Sequence, residues 1–410
     1  METVDVIRSL HTVFLDKSPC CLEFCPGNLE YFVVGTYHLL AESDHDQENT
    51  EKRQPRDGSL ILFKLADNTI AHVETIETSF GILDVHFSPH APRLGVATST
   101  GCIALYHWYA EDGSLQHVDT FQVFANSVVV TSLAWNPRTE VIQVCITTST
   151  GEVVLVNLRN FNHVSRLCDD PSRTVHVRPG DLIESQLIFK HELEAWTVVF
   201  IVPPSKHETG CITGGIFSGG DDAELQYTSE RAWTPLLLTA SAPINMGSFS
   251  TQKLAIAPEW QNRRIHGAGV TAILPLLPGY IATGSYDDHI RLIKLPDGQG
   301  NGLQTLAALS LNGGVWRLKL MALFPCSEDG DAAYFSARIL VSCMYAGVCL
   351  VEIRRKDRQQ DWNVRVLARF EEHDSMCYAC DMQPTLKDEG QGKTYVSCSF
   401  YDKRLCLWRC

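Results

Sequence analysis

A short column of residues recurs seven times in this chain, and it leaves little choice of fold. Ile281-Ala282-Thr283-Gly284-Ser285-Tyr286-Asp287-Asp288-His289-Ile290-Arg291-Leu292-Ile293 reads as two strands joined by a tight turn. Small and apolar residues lead in, a turn Asp follows, and apolar residues then alternate. Val396 to Trp408 repeats the pattern around Asp402. Counted from the turn residue, an aliphatic stands at the third place and Leu or Tyr at the fifth. The column starts at Asp57, Thr100, Thr150, Asp222, Asp287, Tyr345 and Asp402, 43 to 72 residues apart. One such hairpin cannot bury its faces alone and stacks on its neighbours. The shortest interval is close to one four-stranded propeller blade.

Each hairpin has an apolar strand upstream. Cys21 to Pro26, Leu83 to Pro89 and Thr131 to Pro137 alternate with period two and end at Pro. Trp196 to Val202, Val270 to Leu274, Val315 to Leu320 and Met376 to Met382 continue the series. The expected fold is all-β: a single seven-bladed WD-repeat β-propeller over residues 1–410. The last hairpin ends at Cys410, which leaves the seventh blade one strand short. Thr3 to Leu10 precedes the first inner strand with no blade of its own. Pairing these two closes the ring and removes an exposed edge. The highly charged Ala41 to Gly58 is expected to be a disordered insertion, and residues 229–268 to hold a rim insertion.

Composition excludes several functions. The longest apolar runs, such as Trp196 to Pro204, are too short to cross a bilayer, so no membrane partner is expected. Met1-Glu2-Thr3-Val4-Asp5 has neither the basic nor the apolar stretch of a secretory signal. The fifteen cysteines are scattered through strands. They read as buried thiols of a reducing compartment, and a cytoplasmic location follows. Cys377 and Cys380 have redox or zinc spacing, but residues three apart on a strand face opposite sides. No second pair stands at zinc-site spacing, so no metal and no cofactor are expected. The net charge of −14, with basic runs no longer than Arg354-Arg355-Lys356, argues against nucleic acid and for a cationic partner or substrate.

Gly-x-Ser-x-Gly, His-Glu-x-x-His and phosphate-loop motifs are missing. Polar and aromatic residues cluster instead just ahead of the inner strands, where the loops of a propeller converge on one channel mouth. Glu194 and Trp196 stand before the fourth inner strand, with Asp221 beside the turn Asp222. His266 precedes the fifth, Gly314 and Trp316 the sixth, and His373, Ser375 and Tyr378 the seventh. The histidines have two readings. Each either ties a Ser and the turn Asp of its own blade together or takes part in a site. The two tryptophans are either packing residues or a cation-binding wall, and Asp221 is either a solvated carboxylate or part of that wall.

His191-Glu192-Leu193-Glu194-Ala195-Trp196 and Gly313-Gly314-Val315-Trp316-Arg317 are more specific than a generic repeat. With Val34 to Leu39, Ser218 to Asp222, Thr283 to Ile290, Ser342 to Gly347 and Ser397 to Asp402, they resemble the diphthine methyl ester esterase family of diphthamide biosynthesis. Ser375 to Met382 keeps that family's Ser, Tyr and Asp but lacks its Gly and Trp. The resemblance implies a carboxylic methyl ester hydrolase that needs no cofactor. It would act on methylated diphthine, a modified histidine of elongation factor 2, before a separate ligase amidates the freed carboxylate. That substrate carries a quaternary ammonium beside a methyl ester. In this scheme His373 is the base, and Ser375 or a water attacks. Glu194, Trp196, Asp221, His266, Trp316 and Tyr378 bind substrate, and the Gly314 backbone faces the oxyanion. A monomer docking on elongation factor 2 is expected. The competing reading is a non-catalytic WD-repeat scaffold.

Overall fold

The computed structural model describes residues 7–40, 56–139, 142–158, 183–202, 214–232, 256–296, 302–324, 335–355, 361–384 and 392–410. Its strands, β1 to β28 in chain order, form seven four-stranded antiparallel sheets. The innermost strands are β2 (Ser18–Phe24), β6 (Ile82–Phe87), β10 (Val130–Trp135), β14 (Ala195–Ile201), β18 (Val270–Leu277), β22 (Arg317–Phe324) and β26 (Cys377–Met382). Successive inner strands contact one another around the ring, and β26 meets β2 to close it.

The seventh sheet runs β26, β27 (Thr394–Ser399), β28 (Arg404–Arg409) and then β1 (Ser9–Phe14). The N-terminal strand thus closes the last blade, with Thr12 opposite Cys406 and Phe14 opposite Arg404. The closing strand lies later than Thr3 to Leu10, because the pairing residues begin at Ser9. Residues 1–6, 41–55 and 233–255 lie outside the described residues, and with them most of both expected insertions. Arg56 to Gly58 already belong to β4 (Arg56–Ala66).

Alternation explains the core. Residues of each blade's middle strands point alternately at the two neighbouring blades, so the apolar column packs between sheets. Trp408, six residues after Asp402, is fully buried and stacks on Phe370 of the sixth blade, ring centroids 4.9 Å apart. Burying a ring of this size is worth roughly 5 kcal/mol. Eleven of the twelve described cysteines are buried, and all twelve are free thiols, used as small core residues. Among the described residues no helix is long and apolar enough to cross a membrane.

One irregularity repeats. The register slips near the start of six inner strands: between Pro19 and Cys21, Ile82 and Asp84, Val130 and Ser132, Ala195 and Thr197, Val270 and Ala272, and Cys377 and Ala379. A bulge re-aims the extra side chain. Trp196 and Tyr378 are two of these extra residues.

Candidate functional site at the channel mouth

Two bulge residues, Trp196 and Tyr378, join Trp316 and Tyr286 in a group of aromatic rings at one mouth of the channel. Trp196 and Trp316 meet edge to face with centroids 5.6 Å apart, although a whole blade separates them in the ring. Tyr286, in the hairpin turn of that intervening blade, lies 5.9 Å from Trp316, and Tyr378 lies 5.1 Å from it on the other side. The chain of rings continues through Phe400, 5.3 Å from Tyr378, to Tyr37 of the first blade, 4.7 Å further on. Trp196, Tyr286, Trp316 and Tyr378 remain only half-buried. Burial pushes the Tyr378 hydroxyl up to about 12 and raises that of Tyr286, so both are neutral near pH 7.

The carboxylates flank these rings. The Trp196 indole N–H donates to Asp221 Oδ1 at 3.4 Å, and Asp221 is itself exposed. The Asp221 backbone N–H donates to the Glu194 carbonyl at 2.8 Å, which ties the two acidic residues together. Glycine makes the approach possible. A Cβ on Gly269 would lie 2.8 Å from Asp221 Oδ1 and 2.9 Å from Tyr286. A Cβ on Gly314 would lie 2.8 Å from Met344 Sδ. Gly314 therefore serves close packing beside Tyr286.

The histidines are elsewhere. His373 is buried, with Nδ1 2.7 Å from Ser399 Oγ and Nε2 2.7 Å from Ser397 Oγ. Burial lowers its pKa to about 4. Both ring nitrogens are engaged, so no lone pair is free to take a proton from a substrate. Ser375 Oγ donates to Asp402 Oδ1 at 2.6 Å and accepts from the backbone N–H groups of Tyr401 and Asp402. It holds the hairpin turn and makes no bond to His373. The expected base and nucleophile are therefore blade architecture.

His266 is likewise only 4% exposed, so it does not reach a ligand at the mouth. Its Nε2 bonds Thr283 at 2.9 Å, and burial lowers its pKa to about 4. It does not pair with Asp287, which Arg291 holds through two bonds of 2.8 and 2.6 Å. In the fourth blade His191 bridges Asp222 at 3.0 Å and Ser218 at 2.9 Å, the frame-building arrangement. Asp222 and Glu224 lie within metal-ligand reach of His191, but Arg263 bonds Glu224 at 3.2 Å and neutralises that group.

Of the nine residues named from sequence, the structure brings Glu194, Trp196, Asp221, Trp316 and Tyr378 to the mouth, with Gly314 packed beside it. It removes His266, His373 and Ser375. Sequence reasoning missed Tyr286 and Arg317 as site residues. Their signals were present: Tyr286 directly precedes the turn residue Asp287, as Tyr401 precedes Asp402, and Arg317 directly follows Trp316.

No protein-family model matches the chain. A fission yeast protein, the diphthine methyltransferase of Schizosaccharomyces pombe, is 27% identical over 383 residues, 92% of this chain and 90% of its own length. The diphthine methyltransferase of Saccharomyces cerevisiae is 25% identical and covers both chains fully. The human protein of that name is 24% identical over 91% of this chain and 74% of its own. A chain in the crystal structure of a mitotic checkpoint complex matches all of this chain and 97% of its own with a TM-score of 0.54 and 13% identity, which supports the propeller fold alone. The relatives are named for methyl transfer, so the expected carboxylic ester hydrolase does not stand. Over 91% of its length or more, the chain is similar to proteins named diphthine methyltransferase or its homolog, at 24 to 27% identity.

Proposed function

We propose that this protein is an enzyme acting on diphthine in diphthamide biosynthesis, with elongation factor 2 as the carrier of the modified histidine. The observation that carries this reading is the cluster of Trp196, Tyr286, Trp316 and Tyr378 beside Asp221 and Glu194. A quaternary ammonium has no N–H to donate, so hydrogen bonds cannot select it. Aromatic faces do so, by ~0.5–2 kcal/mol each as the site dries. Nearby carboxylates add attraction without a specific bond. The half-buried rings keep the cluster open to a side chain presented on another protein. An acidic chain of net charge −14 favours that approach when the presented group is cationic.

The test incubates the purified protein with elongation factor 2 carrying diphthine, with and without an added sulfonium methyl donor whose methyl group can be transferred. Peptide mass spectrometry then weighs the modified histidine. A change of one methyl group at that residue is expected, and a Trp196→Ala, Trp316→Ala double variant should not produce it. Tight binding with no change in methyl content would return the scaffold reading. Neither binding nor change would sink both.

A further inference from the structure

At the end of the sixth blade away from the mouth, three arginines gather on one glutamate. The mouth-side turn of that blade lies between β23 (Phe335–Ser342) and β24 (Val348–Arg355). Arg338 on β23 stands opposite Glu352 on β24, and Glu352 stands opposite Arg365 on β25 (Asn363–Phe370). Arg354 follows two residues along β24, on the same face. Leu340 and Leu350, two residues nearer the turn, pack from that face into one cluster with Tyr395 and Trp408 of the seventh blade. The arginines therefore sit in the crevice between the sixth and seventh blades, at its end away from the mouth.

Their donors outnumber the acceptors. Arg365 Nε lies 2.9 Å from Glu352 Oε2, and Arg354 Nη1 lies 3.8 Å from the same oxygen. Arg338 Nε lies 4.0 Å from Oε1, which also accepts from Ser336 Oγ at 3.1 Å. Three guanidiniums carry about fifteen N–H donors, and one carboxylate offers about four acceptor sites. Among the described residues no second carboxylate pairs with any of the three. Glu352 is buried, whereas the Arg338, Arg354 and Arg365 side chains are 48%, 30% and 43% exposed, within reach of a ligand from solvent. The Phe324 ring, 5.9 Å from the Arg338 guanidinium, braces it. Three positive charges against one negative leave a surplus of two. A dianion cancels that surplus and a carboxylate does not.

We propose that this crevice binds a phosphate monoester dianion, whose oxygens accept from Arg338, Arg354 and Arg365. Such an ester carries close to two negative charges at neutral pH and presents three acceptor oxygens. Guanidinium forks match that geometry. The site is independent of the reading of the mouth. The ester is borne either by a small molecule or by a phosphorylated side chain of another protein.

The experiment titrates the full chain at low salt with methyl phosphate, dimethyl phosphate and a short phosphoserine peptide, following the arginine Nε–H resonances. Methyl phosphate should bind about tenfold more tightly than its diester, which has the same tetrahedral shape but a single charge. The double variant Arg338→Gln, Arg354→Gln should lose that preference with its melting temperature nearly unchanged, because Arg365 still holds Glu352. If it does not fold, Arg354→Gln alone should weaken methyl phosphate about threefold. A peptide that binds more tightly than methyl phosphate assigns the ester to a protein segment, and one that binds no more tightly assigns it to a small molecule. Equal affinity for the two esters, a preference that survives the arginine substitutions, or no shift of the arginine resonances overturns the proposal.

Discussion

The His373 cluster and the Trp316 cluster have similar chemical vocabularies and opposite states. In the seventh blade a histidine, three serines and an aspartate lie close together, the residue types of hydrolytic catalysis. Every polar group there is spent: His373 on Ser397 and Ser399, Ser375 on Asp402, and the Trp408 indole on Ser397. At the mouth the groups are incompletely used. The Trp196 indole makes one long bond, and the rings keep open faces. A network that satisfies itself in low dielectric is rigid and costly to disturb. A site must retain capacity for its ligand.

Acid should separate the two regions most strongly. His266 and His373 have pKa values lowered from 6.5 to about 4 by burial. Between those values the unfolded chain binds protons that the folded chain does not, so stability falls as pH falls. From pH 7 to pH 5 each histidine should cost about 2 kcal/mol. Melting curves across that range check this, and His373→Gln should flatten the slope while leaving the methyl change on diphthine intact. A pH slope equal to that of the unaltered protein would break the contrast.

At the mouth the effects should reverse, large on ligand and small on stability. Trp316→Ala should weaken the handling of diphthine about thirtyfold, roughly 2 kcal/mol, with little change in melting temperature. Turnover on modified elongation factor 2 would measure it. Asp221→Asn should weaken it about fivefold, and the deficit should shrink as salt is raised, because the carboxylate is exposed. The smallest effect belongs to Ser375→Ala, which should cost about 1 kcal/mol of stability by freeing the Asp402 turn and leave turnover unchanged. Loss of turnover with normal stability would restore Ser375 to the chemistry.

Much of this was legible before any coordinates. Asp287 and Asp402 mark hairpin turns through the alternation behind them, and the short last blade points to closure by the N-terminus. Most of the mouth was legible as well, since Glu194, Trp196, Trp316, Tyr378 and Asp221 stand close to the starts of inner strands or in a turn. The roles of His373 and Ser375 were not legible. Their spacing of two suits a base and a nucleophile as well as it suits two separate turn bonds. Only the partners distinguish these: Ser397 and Ser399 for one, Asp402 for the other. His266 misled for a related reason, because Arg291, four residues beyond Asp287, takes the carboxylate that a histidine holds in the fourth blade.

Sequence by itself determined the number of blades, the hairpin register and the closing strand's general place. Those follow from period-two alternation, which is local and repeats with the chain. Tertiary structure alone decided that Trp196 and Trp316, 120 positions apart by their numbering, meet across the fifth blade, and that Arg317 pairs with Asp84 of the second blade. Such contacts depend on where the bulges aim each side chain and on which neighbours have already claimed its partners. No spacing along a single strand carries that information.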